Sequence, residues 1–194
     1  TKIISNMIDS PETFKITNVI IGFIVMLNVL SYLQITNVND YAYSRELIFY
    51  HKQYWRILTS VFFLGEDVNF NYLIDLYFLY QYFSSIESIG KQRKYIIFVL
   101  FGVVFFNIVS YLIGIKFTSN LLLPYLKFYF SKQFVDQKMS VGPVVIPTCY
   151  LPIFTILLQL VEKNFLGLIP IIIGFSISHL YFFLFNVIPC KYFN

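Results

Sequence analysis

The chain has 194 residues, of which 58% are apolar, 21% aromatic and only 12% charged, against roughly 25% charged in an ordinary soluble domain. So few charges cannot clothe a water-facing surface, and the long apolar runs point to lipid as the solvent. The net charge of +4 is spread between those runs instead of forming one basic face, which gives nucleic-acid binding no support.

Crossing a hydrocarbon core of ~30 Å takes roughly 20 apolar residues. Six runs qualify, at 16–35, 69–87, 95–115, 118–134, 148–163 and 166–188, within one membrane domain over residues 1–194. The first is longer than a secretory-signal core and has no small-residue cleavage site after it, so a retained span is expected. Segment 36–58 reads RELIFYHKQYWRIL from Arg45. Its mixture of rings and cations suits a membrane surface, with aromatic groups at headgroup depth and Arg and Lys reaching phosphates. The fourth and fifth runs are short, which calls for local thinning of the bilayer or burial inside the bundle. No internal repeat is evident, so a transporter of inverted repeats gains no support.

The flanking charges predict a topology. With a cytosolic amino terminus, Lys2, Lys15, Lys91, Arg93, Lys94, Lys127, Lys132, Lys138 and Lys191 fall on the cytosolic side, and Arg45, Lys52, Arg56, Lys116 and Lys163 on the other. The excess places both termini in the cytosol. Cys149 and Cys190 then lie at cytosolic helix ends and read as free thiols.

Polar residues inside spans are costly and face the bundle interior or a water-filled cavity. The second run, FNYLIDLYFLYQYFSSIE from Phe70 to Glu87, sets Asn71 and Asp75 on one face with Tyr82 two turns beyond on the same stripe. Gln81, Ser84 and Ser88 form a second polar row. Gln81, Ser84 and Glu87 are expected to bond neighbouring helices, for roughly 0.6 kcal/mol per contact. Asp75 has no Lys or Arg inside any span to pair with, on this reading. Two roles stay open for it: a neutral, hydrogen-bonded buried acid, or a carboxylate lining a functional cavity. In the last run Gly167, Gly174 and Ser178 recur at i, i+7 and i+11, a small-residue face that admits close helix packing. His179 stands alone and reads as a hydrogen-bonding group; neither a metal nor another cofactor is expected.

The strings YWR at 54–56, FNYLIDLYFLYQYFSSIE at 70–87, CYLP at 149–152 and GFSISHLYFFLFNVIP at 174–189 resemble, in the same order, segments of the derlins, a family of rhomboid-like pseudoproteases. The resemblance implies an all-α rhomboid-like bundle of six transmembrane helices. Trp55 and Arg56 would be the WR signature of a membrane-embedded first loop, and Gly174 with Ser178 the counterpart of the sixth-helix GxxxG, slightly loosened by the serine. Asp75 stands where the family typically has Asn. A rhomboid protease needs Gly-x-Ser-Gly in the fourth helix and His three residues before the sixth-helix Gly. Here the fourth run reads SNLLLPYLKFYF and the histidine position is Ile171, so no catalytic residue is expected.

What the resemblance implies for function is binding of misfolded or translocating polypeptides and their retrotranslocation from the endoplasmic-reticulum lumen in ER-associated degradation. Expected partners are a membrane ubiquitin ligase complex, a cytosolic AAA ATPase whose direct contact is not assigned, and membrane lipids; homo- or hetero-oligomers stay open. The alternatives are preprotein translocation across a membrane surrounding a complex plastid, an active intramembrane protease, and a small proton-coupled transporter using Asp75.

Overall fold

The computed structural model describes residues 15–65, 68–89, 92–141, 144–161 and 165–187. Among them lie eight α-helices and one short β-hairpin. Helix α1 covers Lys15–Tyr32, and a short turn of 3₁₀ helix, Val38–Asp40, leads to α2 (Arg45–Phe49) and α3 (Arg56–Phe62). The long helices α4 (Phe70–Ile89) and α5 (Gln92–Ile113) follow. Gly114 ends α5 at φ +80° while its N–H bonds the Ser110 carbonyl at 2.9 Å, a left-handed cap that glycine adopts without strain. Then come α6 (Ser119–Gln133), strands β1 (Lys138–Val141) and β2 (Val144–Pro147), α7 (Leu151–Val161) and α8 (Leu168–Phe182), which continues as a π-turn over Phe183–Val187.

Helix α6 is the axis of the bundle and touches α3, α4, α5, α7 and α8, most extensively α8. Aromatic rings fill the space around it. Tyr125 is buried, stacks on Phe98 at 4.6 Å between ring centroids, and donates its hydroxyl to the Phe98 carbonyl at 2.9 Å. The ring fits because Gly102 faces it: a β-carbon there would come within 3.1 Å of Tyr125 Cε1. Paired aromatic rings of this kind contribute about 0.5–1.5 kcal/mol beyond their burial.

The outside of the bundle is apolar. Along α5, Leu100, Val104, Ile108 and Leu112 recur at every fourth residue and all are exposed. Ile153, Leu157 and Leu160 on α7 and Ile169 and Ile172 on α8, spaced three or four apart, are exposed as well. Stripes of this extent are intolerable in water and natural against acyl chains. Two helices, Gln92–Ile113 and Leu168–Val187, are long and apolar enough to cross a membrane, whereas Ile16–Tyr32 and Thr148–Val161 are apolar but shorter.

The expected six-helix bundle is met in part. Only those two of the six runs meet both the length and the hydropathy requirement among the described residues. The fifth run opens with a 3₁₀ turn, Thr148–Tyr150, and among the described residues its α-helix covers Leu151–Val161. The far ends of the fifth and sixth runs lie outside the described residues, as do Lys2, Lys91, Cys190 and Lys191. The fold is also not purely helical. Strands β1 and β2 pair antiparallel with Met139 opposite Ile146, and both of these side chains are buried. Buried Thr148 fastens the hairpin, with its N–H on the Gln137 carbonyl at 3.0 Å and its hydroxyl donated to the Phe134 carbonyl.

Candidate functional site

A cavity of about 380 Å³ opens between α4, α6, α7 and α8, and polar side chains from the first three of these helices reach its wall. Asp75 comes from α4, Ser119, Asn120 and Lys127 from α6, Thr155 and Gln159 from α7, and Gly167 from the start of α8. Pro124 also lies on the wall. It has no N–H to give the Asn120 carbonyl one turn earlier, so α6 is missing one of its own bonds where it faces the cavity. Thr155 bonds back to the Leu151 carbonyl at 2.9 Å, which leaves its oxygen able to accept.

The expectation that Asp75 lacks a basic partner is wrong. Lys127 sits within the 118–134 run and lines the same cavity, so an acidic and a basic side chain face one open cavity from different helices. They form no direct ion pair; among the described residues the one such pair joins Arg56 to Asp40 at 3.8 Å. The sequence does carry a signal for this wall. Asn120 and Lys127 are seven apart and share a face of α6, and Thr155 and Gln159 are four apart on the otherwise apolar LPIFTILLQLV.

The proposed polar stripe on α4 does not act as a unit. Asp75 faces the cavity, whereas Asn71 is exposed one turn earlier and is not part of its wall. Tyr82 is buried in the core, donates its hydroxyl to Met139 Sδ at 3.6 Å and meets Phe130 edge-on. Gln81 is half-buried, and its carbonyl accepts the Ser84 hydroxyl within the same helix. Ser84 therefore binds its own helix and not a neighbour. Glu87 does reach a neighbour: its two oxygens accept the N–H groups of Ile16 and Thr17 at 3.2 and 3.0 Å, capping the start of α1.

The WR pair divides its labour. Trp55 is exposed, as an interfacial anchor would be. Arg56 turns inward and is only 4% exposed, so it does not reach phosphates as the loop composition suggested. Its Nε donates to Gln53 Oε1 at 2.6 Å and its Nη1 to the carbonyls of Asn39 and Ala42 at 2.6 and 2.9 Å. Those bonds tie the connection between α1 and α3 into a fixed shape. Arg45 lies over the Tyr111 ring at 4.4 Å, holding the same segment against the end of α5.

On α8 the small residues seat the helix against α6. A β-carbon on Gly174 would come 2.9 Å from the Leu121 carbonyl oxygen and 2.9 Å from Pro124 Cβ. Ser178 is fully buried one turn later. His179 points the other way, exposed, its ring edge-on to Phe128 at 5.8 Å. It therefore lies outside the polar cavity, whose wall holds Ile171 and Ser119.

The Der1-like family model matches residues 14–193. Over 151 residues the chain is 28% identical to Derlin-1 of Homo sapiens and of Bos taurus, covering 72% of this chain and 57% of each of theirs. It is 26% identical to Derlin-1 of Oryza sativa subsp. japonica over 167 residues, 80% of this chain and 66% of that one. The chain thus spans a little over half the length of the mammalian relatives it matches. A match that runs from the start of α1 past the end of α8 takes in the buried Arg56, the α6–α8 seam and the polar cavity together, and this mostly helical membrane protein belongs to the Der1-like family.

Proposed function

We propose that this chain is a non-catalytic derlin of the endoplasmic-reticulum membrane that receives misfolded polypeptides and assists their passage from lumen to cytosol in ER-associated degradation. In this reading its six membrane segments leave both termini in the cytosol, and it works beside a membrane ubiquitin ligase complex and a cytosolic AAA ATPase. The observation that carries the proposal is the polar cavity set into an apolar bundle. Each unsatisfied backbone group costs several kcal/mol in hydrocarbon. A wall offering an acid, an amine, hydroxyls and amides supplies both donors and acceptors to a passing chain. One acidic and one basic group leave that wall balanced, so it need not select one sign of client. Acyl-transfer chemistry requires a nucleophile within reach of a base; Ser119 faces the cavity while His179 lies outside it.

The test is a rescue experiment. In cells lacking the protein, a misfolded lumenal reporter should be stabilised, and the wild-type chain should restore its decay. A variant carrying Asp75→Leu and Lys127→Leu, inserted at normal levels, should not. Full rescue by that double variant would sink the proposal. Unchanged reporter decay joined to failed import at a plastid-surrounding membrane would carry the preprotein reading in its place.

A further inference from the structure

A second concavity, of about 770 Å³, lies between α6 and α8 on the side away from the polar cavity. Its wall is apolar and mostly aromatic. Phe128 of α6 faces Phe175 at 5.6 Å and His179 at 5.8 Å, and Leu180 and Phe183 continue the wall along α8. Phe175, His179 and Phe183 stand at i, i+4 and i+8, so the wall runs about 12 Å along the helix at 1.5 Å per residue. The helices run parallel here, since Gly174 meets Leu121 to Tyr125 and Phe182 meets Tyr129.

One end of this groove is charged. Lys132, one turn beyond Phe128 in the last turn of α6, holds its ammonium 5.7 Å from the Phe128 ring and has no carboxylate partner among the described residues. His179 adds a second polar group midway along the wall, beside Phe128. An apolar slot open along a lipid-facing surface, with an unpaired cation at its mouth near a helix end, matches the two parts of one molecule. The acyl chain lies in the slot and the phosphate meets the cation.

We infer that the α6–α8 groove is a binding site for a single anionic glycerophospholipid, with an acyl chain lying along the wall formed by Phe128, Phe175 and Phe183 and its phosphate on Lys132. The site is separate from the polar cavity and does not depend on the proposed function. It would fix a lipid on the outer face of the helix pair whose inner faces form the Gly174 seam.

Native mass spectrometry of the full chain in mixed micelles containing equal phosphatidylglycerol and phosphatidylcholine tests this directly. The wild type should keep one phosphatidylglycerol in preference. Lys132→Gln, an exposed position that leaves the fold intact, should weaken retention about tenfold, the loss of one charge-assisted bond. Ser176→Trp, which fills the slot from an exposed position, should abolish it. Equal retention of both lipids, or retention unchanged in Lys132→Gln, overturns the inference. Loss in Lys132→Gln with full retention in Ser176→Trp also overturns it, because lipid would then be attracted to the surface charge without entering the groove.

Discussion

Replacing Glu87 by Gln probes how the first helix is held. The wild-type carboxylate is buried and accepts two backbone N–H groups at the start of α1, at 3.2 and 3.0 Å. A bond to an ionised acceptor contributes about 1.5–3 kcal/mol and a neutral one about 1 kcal/mol. The carboxamide keeps one oxygen and turns its NH₂ toward the other donor, so one bond weakens and one is lost. The expected cost is about 2–4 kcal/mol, well above the ~0.6 kcal/mol of an average polar contact between membrane helices. For a domain of this size it corresponds to a fall in melting temperature of roughly 5–15 °C. A thermal melt in detergent, followed by the surviving monodisperse peak, reads this out. Ser88→Ala is the matched control, since its exposed hydroxyl bonds only within α4, to Ser85 at 2.7 Å. A Glu87→Gln protein that melts with the wild type would refute the capping role.

Arg56→Lys keeps the charge but cannot reproduce the fork that reaches Gln53, Asn39 and Ala42 together. It should cost about 2–4 kcal/mol, and limited proteolysis between α1 and α3 should speed up at least about tenfold. Gly174→Ala should cost about 1–3 kcal/mol in the same melt, because its β-carbon meets the α6 backbone with no flexible side chain to yield. Gly22→Ala on α1, where a β-carbon meets nothing within 4 Å, should be neutral or slightly stabilising.

Patterns that depend on one helix were legible in the sequence. The small-residue face of α8 follows from spacing alone, and the structure places Gly174 against the α6 backbone and buries Ser178 beside it. Features that depend on which helices meet were not. Tyr82 does share an azimuth with Asp75, seven residues away, but α4 changes neighbours along its length. At Asp75 it borders the cavity, and at Tyr82 it meets Phe130 and Met139 of the hairpin. Lys127 reads as a flanking cation because a single sequence does not show which residue of another helix lies opposite Asp75. The hairpin has no signature in the sequence because its strands are only four residues each, too short for alternation to stand out. Composition alone points Arg56 to the headgroups; its inward turn depends on carbonyls 14 and 17 residues away.

Site-specific photocrosslinking tests the polar cavity most directly. A photoreactive residue at Asn120 or Thr155, on the cavity wall, should capture a misfolded lumenal client during its degradation, and the yield should fall when Asp75 and Lys127 are both replaced by Leu. The same probe at Leu100, on the exposed apolar face of α5, should capture lipid and little client. Client captured equally from Leu100 and from the cavity wall, or from Leu100 alone, would contradict the assignment of the cavity as the polypeptide path.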